Sequence, residues 1–369
     1  MQLRSLCLLS ALAAIASAPN AVWATEFVQT NLVTDDQSVN AAKITDPNLI
    51  NPWGVSYSSS SPFWVSDNGR GASTLYNVGP SNDATSIVPL VVGMPGDGTI
   101  TGQVFNGLSG FNHDAFLFVS EDGTISGWRG ALGTSAEALQ LPDVANVYKG
   151  AAFATTGGHS YLYSANFRSG NIDVLKGDGG APNLSSNFID PNIPAGYAPF
   201  NVENLGGTLY VTYAEQDASK HDEVAGAGLG FVDAYDLQGN LLGRVGSQGT
   251  LNAPWGLAIA PSSFGSIAGD LLVGNFGDGR INVFDQATHT FVGQLNTPGG
   301  TPLSIDGLWA LIPGNGGNGG SADRLYFTAG PGDESHGLFG SLAAVPEPST
   351  MCLIGAGVVA LVRRRRKGS

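Results

Sequence analysis

An all-β fold of six similar blades is predicted by three features of the sequence. One phrase of residues recurs six times at spacings of roughly 45 to 60 residues, the period of propeller blades. Each copy is built from short apolar or alternating runs bounded by Gly, Asn and Asp, the pattern of strands and tight turns. The chain carries 53 Gly and 20 Pro in 369 residues, and no stretch reads as a long amphipathic helix. Hydrophobic residues still make up 42%, so a packed core is available and disorder is not expected. A four-stranded blade needs about 40 to 50 residues, against about 20 to 30 for one coil of a leucine-rich solenoid, which favours the propeller.

Taken in order, Glu26 to Val33 alternates apolar and polar residues and reads as a strand with no blade of its own. The first copy is Pro52-Trp53-Gly54-Val55-Ser56, then Phe63 to Asn68, a turn at Gly69-Arg70-Gly71, and Ser73 to Asn77. The same phrase returns as Pro254-Trp255-Gly256-Leu257-Ala258-Ile259, Asp270 to Asn275, a turn at Gly277-Asp278-Gly279, and Arg280 to Asp285. Weaker copies run from Phe116 to Trp128, Ser160 to Leu175, Thr208 to Tyr235 and Asp323 to Leu342. The last has room for only part of a blade. The N-terminal strand is therefore expected to complete it and latch the ring, which also protects the sheet edges. Four insertions punctuate the copies: Pro80 to Gly98, Asp178 to Ala198, Glu215 to Gly228, and the low-complexity tip Asn315 to Gly320. They read either as covers for one face or as turn-rich connections.

The two ends have a different character. Arg4 followed by apolar Leu6 to Ala18, with Val22-Trp23-Ala24 beyond, is the pattern of a signal peptide cleaved after Ala24. At the other end Pro346-Glu347-Pro348 precedes apolar Met351 to Val362, then Arg363, Arg364, Arg365, Arg366 and Lys367. Such an order reads as a short membrane stop with its basic end in the cytoplasm. It resembles the PEP-CTERM tail of bacterial exported proteins. The resemblance implies processing by an exosortase-type enzyme, transient anchoring in the inner membrane, and release to the cell surface or medium. The expected organisation is a signal peptide over 1–24, a β-propeller over 25–344, and a sorting tail with a short helix over 345–369.

The middle segment also resembles a family. Asn31-Leu32-Val33-Thr34-Asp35, followed by Asp46-Pro47-Asn48-Leu49-Ile50-Asn51-Pro52-Trp53-Gly54, is similar to the opening of an uncharacterised family of exported proteins with a predicted six-bladed β-propeller. More distantly the blades look like those of NHL-type and gluconolactonase-like propellers.

Charge and cysteine content exclude several functions. The net charge is −14, and removing Arg4, Glu347 and the five C-terminal cations leaves 10 basic and 29 acidic residues. Such a domain repels nucleic acid. Cys7 and Cys352 are the only cysteines and both lie in the terminal segments, so the exported domain has no disulfide and no thiol chemistry.

Candidate site residues come from one column of the repeat. Asn68, Asp122, Asn166 and Asn275 close the second strand of their copies and are placed to ring one mouth of the channel. The resemblance to gluconolactonase-like enzymes implies that Glu, Asn and Asp from different blades can hold a divalent metal there. Side-chain capping of the strand-end turn explains the same column without a ligand. Glu215, Asp217, His221, Asp222 and Glu223 supply ligand types for a cation such as Ca²⁺, but in no recognised spacing. His113-Asp114 is the best local acid–base pair. Trp53 and Trp255, at matching positions, are expected to pack between blades.

The leading expectation is therefore an exported, non-enzymatic propeller with no cofactor, which binds an exopolysaccharide or an envelope protein. The alternative is a metal-dependent hydrolase or lactonase working in the central channel.

Overall fold

The computed structural model of the protein describes residues 26–345. The expected signal peptide, and the sorting residues Pro346, Glu347, Pro348, Arg363, Arg364, Arg365 and Arg366, lie outside the described residues. No helix among the described residues is long and apolar enough to cross a membrane.

Six sheets form six blades. Blade 1 runs outward from Pro52–Ser56 through Phe63–Asp67 and Ala72–Val78 to Thr85–Ile87. Blade 2 holds Ile100–Phe105, Phe116–Ser120, Ile125–Trp128 and Glu137–Gln140. Blade 3 has three strands, Tyr148–Thr156, His159–Asn166 and Asn171–Lys176. Blade 4 holds Tyr197–Leu205, Thr208–Gln216, Phe231–Tyr235 and Leu241–Ser247. Blade 5 holds Pro254–Ile259, Leu271–Asn275, Ile281–Phe284 and Phe291–Gln294. Blade 6 combines Leu308–Pro313, Leu325–Ala329 and Leu338–Ala344 with the N-terminal strand Phe27–Thr34. The innermost strands pack on one another in cyclic order, blade 6 against blade 1 included, so the ring is closed.

The latch is as the sequence leads one to expect. Phe27–Thr34 pairs antiparallel with Leu338–Ala344, Phe27 opposite Ala344 and Thr34 opposite Leu338. Phe27, Leu32 and Val33 are buried, which gives the strand an apolar anchor in the last blade.

A bulge recurs at the same place in every innermost strand. The register with the second strand slips between Pro52 and Val55, Ile100 and Gln103, Tyr148 and Gly150, Pro199 and Asn201, Pro254 and Gly256, and Leu308 and Leu311. A bulge re-aims the side chain it carries. The residues at this step are Trp53, Thr101, Lys149, Phe200, Trp255 and Trp309. Behind five of them stands Gly or Ala, namely Gly54, Gly102, Gly150, Gly256 and Ala310. A Cβ on Gly54 would lie 2.6 Å from the Thr101 carbonyl oxygen, and one on Gly256 would lie 2.7 Å from that of Trp309. The repeated Pro-Trp-Gly is thus the signature of a bulge seated against the next blade.

Two insertions differ from their sequence reading. The stretch after blade 3 leaves that blade without a fourth strand and packs on blade 4: Ser186 N–H donates to Gln238 O (3.0 Å) and Phe188 N–H to Gly239 O (3.1 Å). Asn315 to Gly320 is not a free tip. The Asn315 amide donates to Ser58 O and Ser61 O, and Val78 N–H donates to Asn318 O, so it ties blade 6 to blade 1.

Candidate functional site at the closed mouth of the ring

The six bulged side chains decide what the axis can do. Trp53 and Trp309 stack with ring centroids 3.5 Å apart, and Trp255 meets both edge-on at 6.2 and 5.8 Å. Phe200 and Phe276 pack on Trp309, and the Lys149 ammonium lies 5.0 Å over the Trp53 ring. Trp53 and Trp255 therefore pack at the axis rather than between blades, and with Trp309 they plug the channel.

Above the plug lies a polar mouth. Lys149 is 1% exposed, and its ammonium pairs with Glu121 and, at 3.3 Å, with Asp222. Glu121 follows the second strand of blade 2 and accepts from the Asn68 amide at 3.1 Å. Asn51, at the entry to blade 1, donates to Glu334 Oε2 at 2.6 Å and accepts from the Trp309 indole N–H at 3.1 Å. Asp222 arrives on the insertion between the second and third strands of blade 4, where Glu223–Val224 folds back on Glu215–Gln216 as a short hairpin. This insertion therefore covers the mouth, and Asp222 connects it to blade 3.

The electrostatics follow from burial around one cation. Burial opposes charge on Lys149, but Glu121, Glu223 and Asp222 outweigh it and raise its pKa. Burial lifts Glu223 to about 7 against the pull of Lys149. Burial also raises Glu334, opposed by the Asn51 bond and Lys149. Burial disfavours the Asp222 carboxylate, yet Lys149 and His221 hold its pKa down.

Ligand atoms of Glu121, His221 and Asp222 lie within 4.8 Å of one another, a grouping that by residue type suits a divalent ion. The Lys149 ammonium already contacts two of the three, so the position of a metal charge is taken by a side-chain cation.

The predicted column is split by the register. Pro52, Ile100, Tyr148 and Pro254 face Asp67, Ser120, Asn166 and Asn275. Asn166 and Asn275 hold the shared position, while Asn68 and Asp122 fall one and two residues beyond it, where blades 1 and 2 carry Asp67 and Ser120. Asn68 reaches the mouth. Asp122 accepts from Thr124 N–H (2.8 Å) and Asp97 N–H (3.0 Å). Asn166 donates to Asp173 (2.7 Å) and Asn146 (2.8 Å), and Asn275 donates to Asp278 (3.0 Å) and Thr250 O (2.8 Å). These three tie turns of their own blades. Of His113-Asp114, the aspartate is held by Arg129 at 2.8 Å.

Sequence reasoning missed Asn51, Lys149, Trp309 and Glu334. Aligning the innermost strands on the residue before Gly or Ala would have found Lys149 and Trp309.

Comparison with known proteins adds three findings. Residues 344–367 match the PEP-CTERM protein-sorting motif. This marks the protein for export through membrane-anchored sorting and implies an exosortase as processing enzyme. Two relatives from Acanthamoeba polyphaga mimivirus cover most of the chain. Uncharacterized protein R648 is 32% identical over 82% of this chain and 77% of its own length, and uncharacterized protein L690 is 31% identical over 85% and 84%. Among solved structures, an α-L-arabinofuranosidase from Fusarium graminearum covers 86% of this chain and 98% of its own at 10% identity, with a TM-score of 0.53. An auxiliary nutrient binding protein from Bacteroides ovatus covers 87% and 78% at 11% identity, with the same TM-score. At that identity the likeness is one of fold.

Proposed function

We propose, for a chain that belongs to the family of the mimivirus proteins R648 and L690, a binding role outside the cell rather than catalysis inside the ring. The ligand class is carbohydrate of the cell surface or extracellular matrix. The observation that carries this reading is the plug. Three tryptophans, Phe200 and the stem of Lys149 fill the axis, so a substrate has no channel to enter. What remains accessible is the rim of the mouth. There Asn68, His221, Asp222 and Glu334 offer amide, imidazole and carboxylate groups that accept from and donate to sugar hydroxyls. Asp122, Asn166 and Asn275 brace the turns on the same face.

The test is a glycan array and a pull-down with envelope polysaccharide, using the purified full-length protein. Retention on one glycan class, weakened at least tenfold by Asp222→Asn, supports the reading. No retention on any glycan, with an envelope protein captured through the same rim, replaces it with a protein-binding role.

The alternative, a metal-dependent hydrolase or lactonase, rests on the Glu121, His221 and Asp222 grouping. Lys149 weighs against it, since a divalent ion there would face an ammonium at contact distance. Metal-dependent hydrolysis of a lactone or ester, lost in His221→Ala, would restore it.

A further inference from the structure

On the far side of the plug from the mouth, the innermost strands of all six blades enclose an axial cavity of about 10 Å³. A space of that size holds one water-sized occupant. Most of its wall is backbone, glycine and aliphatic side chain. Three polar side chains border it. Gln103, 5% exposed, donates its amide to Gly54 O (2.9 Å) and Trp64 O (2.8 Å), and its Oε1 has no partner. The Asn201 amide donates to Trp255 O (2.8 Å). Glu203 is the third, and no cationic side chain acts on it. Glu203 is half-buried and lines the cavity. Burial lifts its pKa to about 8.

A buried carbonyl oxygen without a donor and a carboxylate without a cation are each costly. Here both residues line the same small space. Each innermost strand is also the last in its sheet, so alternate backbone carbonyls face away from the sheet, some of them taken by side chains, as Gly54 O is by Gln103 and Trp255 O by Asn201. The surroundings are oxygen-rich, with one carboxyl group that becomes negative on losing its proton and room for one occupant.

We propose that this axial cavity is a cation site, taking one small hard ion, Na⁺ or Ca²⁺, on the Glu203 carboxylate, Gln103 Oε1 and inward-facing backbone carbonyls. Hard cations take oxygen ligands of this kind, and a single carboxylate sets a weak site for Ca²⁺ and a charge-matched one for Na⁺. The ion would bind all six blades at the axis and act on stability. The site is separate from the mouth, and the carbohydrate reading does not depend on it.

The experiment uses the purified full-length protein, stripped with EDTA and melted in choline, sodium and calcium chlorides at equal ionic strength. A cation at about a hundredfold excess over its Kd is expected to raise the melting temperature by about 5 °C over choline. Sodium and calcium are told apart by which salt gives the rise. Glu203→Gln abolishes the rise and Asp222→Asn keeps it. If Glu203→Gln fails to fold, Gln103→Leu replaces it and reduces the rise. Equal melting temperatures in all three salts overturn the proposal. So does a rise that survives Glu203→Gln but disappears in Asp222→Asn, which would assign the ion to the mouth.

Discussion

Trp53 and Trp309 lie face to face, 3.5 Å between ring centroids and 19° between planes, across the seam where the last blade meets the first. The two residues are 256 positions apart and come from equivalent bulges. Trp309 is fully buried, and its indole N–H is satisfied by Asn51. Trp309→Ala is expected to cost about 3–5 kcal/mol, the range for truncating a buried large aromatic. Trp309→Phe keeps part of the contact and costs less. Urea unfolding measures both, and a loss below about 1 kcal/mol for the alanine variant would show that the plug is not a stability element.

The second prediction concerns Lys149. Its ammonium offsets the carboxylates of Glu121, Asp222, Glu223 and Glu334 at the mouth. Lys149→Met keeps the stem but strips that charge, and breaking a buried pair from one side costs about 3–5 kcal/mol. Adding Glu121→Gln to Lys149→Met should recover part of the loss, because it removes the carboxylate left without a partner. A double variant no more stable than the single one would show that the pair acts through packing alone.

Gly256→Ala tests the bulge. The new Cβ would meet the Trp309 carbonyl oxygen at 2.7 Å and Leu311 Cγ at 2.9 Å, and the oxygen belongs to the neighbouring blade's backbone. Overpacking of this kind costs about 1–3 kcal/mol. Gly293→Ala, with open space around the added methyl, is the control and should stay within about 0.5 kcal/mol of the parent.

Stability should also depend on pH, in a direction set by two glutamates. Burial raises Glu203 to about 8, and Glu223 to about 7 despite Lys149. Between about pH 5 and 8 the folded chain keeps protons that the unfolded chain has released, so stability falls as pH rises through that window. Asp217 works in the opposite sense but elsewhere. Bonds from the Ser219 hydroxyl and the His221 N–H hold it at about 2, so its contribution is lost only below about pH 4. Urea midpoints should decline from pH 5 to pH 8, and Glu203→Gln should flatten the decline. A midpoint that climbs across this range would contradict the buried state of both groups.

The architecture was legible because its grammar is local. The Pro-Trp-Gly phrases at Pro52 and Pro254, the strand-ending Asn residues and the lone strand at Glu26 all carry their meaning within a few neighbours. The plug and the mouth are not local. Trp309 was overlooked because its copy reads Leu308-Trp309-Ala310, without the Pro and Gly that mark the other two. Lys149 breaks an aromatic pattern, and only the bulge register shows that it stands where Trp53 and Trp255 stand. Asn51 and Glu334 meet across 283 residues, a contact that closure of the ring creates and that no spacing announces. Asn68 and Asp122 read as one column with Asn166 and Asn275 because each lies beside a strand end and a Gly-containing turn, and only the pairing register shows that Asp67 and Ser120 hold that position.

The closing strand has a further consequence. Leu338 starts its strand opposite Ala329, on the side of the mouth, and the strand ends at Ala344 on the other side. Phe27 pairs with Ala344, and Val345 N–H donates to Glu26 O at 2.7 Å. The chain therefore enters and leaves the ring together, at the base of blade 6, beside the start of the sorting motif at residue 344. A tether through that motif would therefore leave from the base, on the side of the ring opposite the Lys149 mouth.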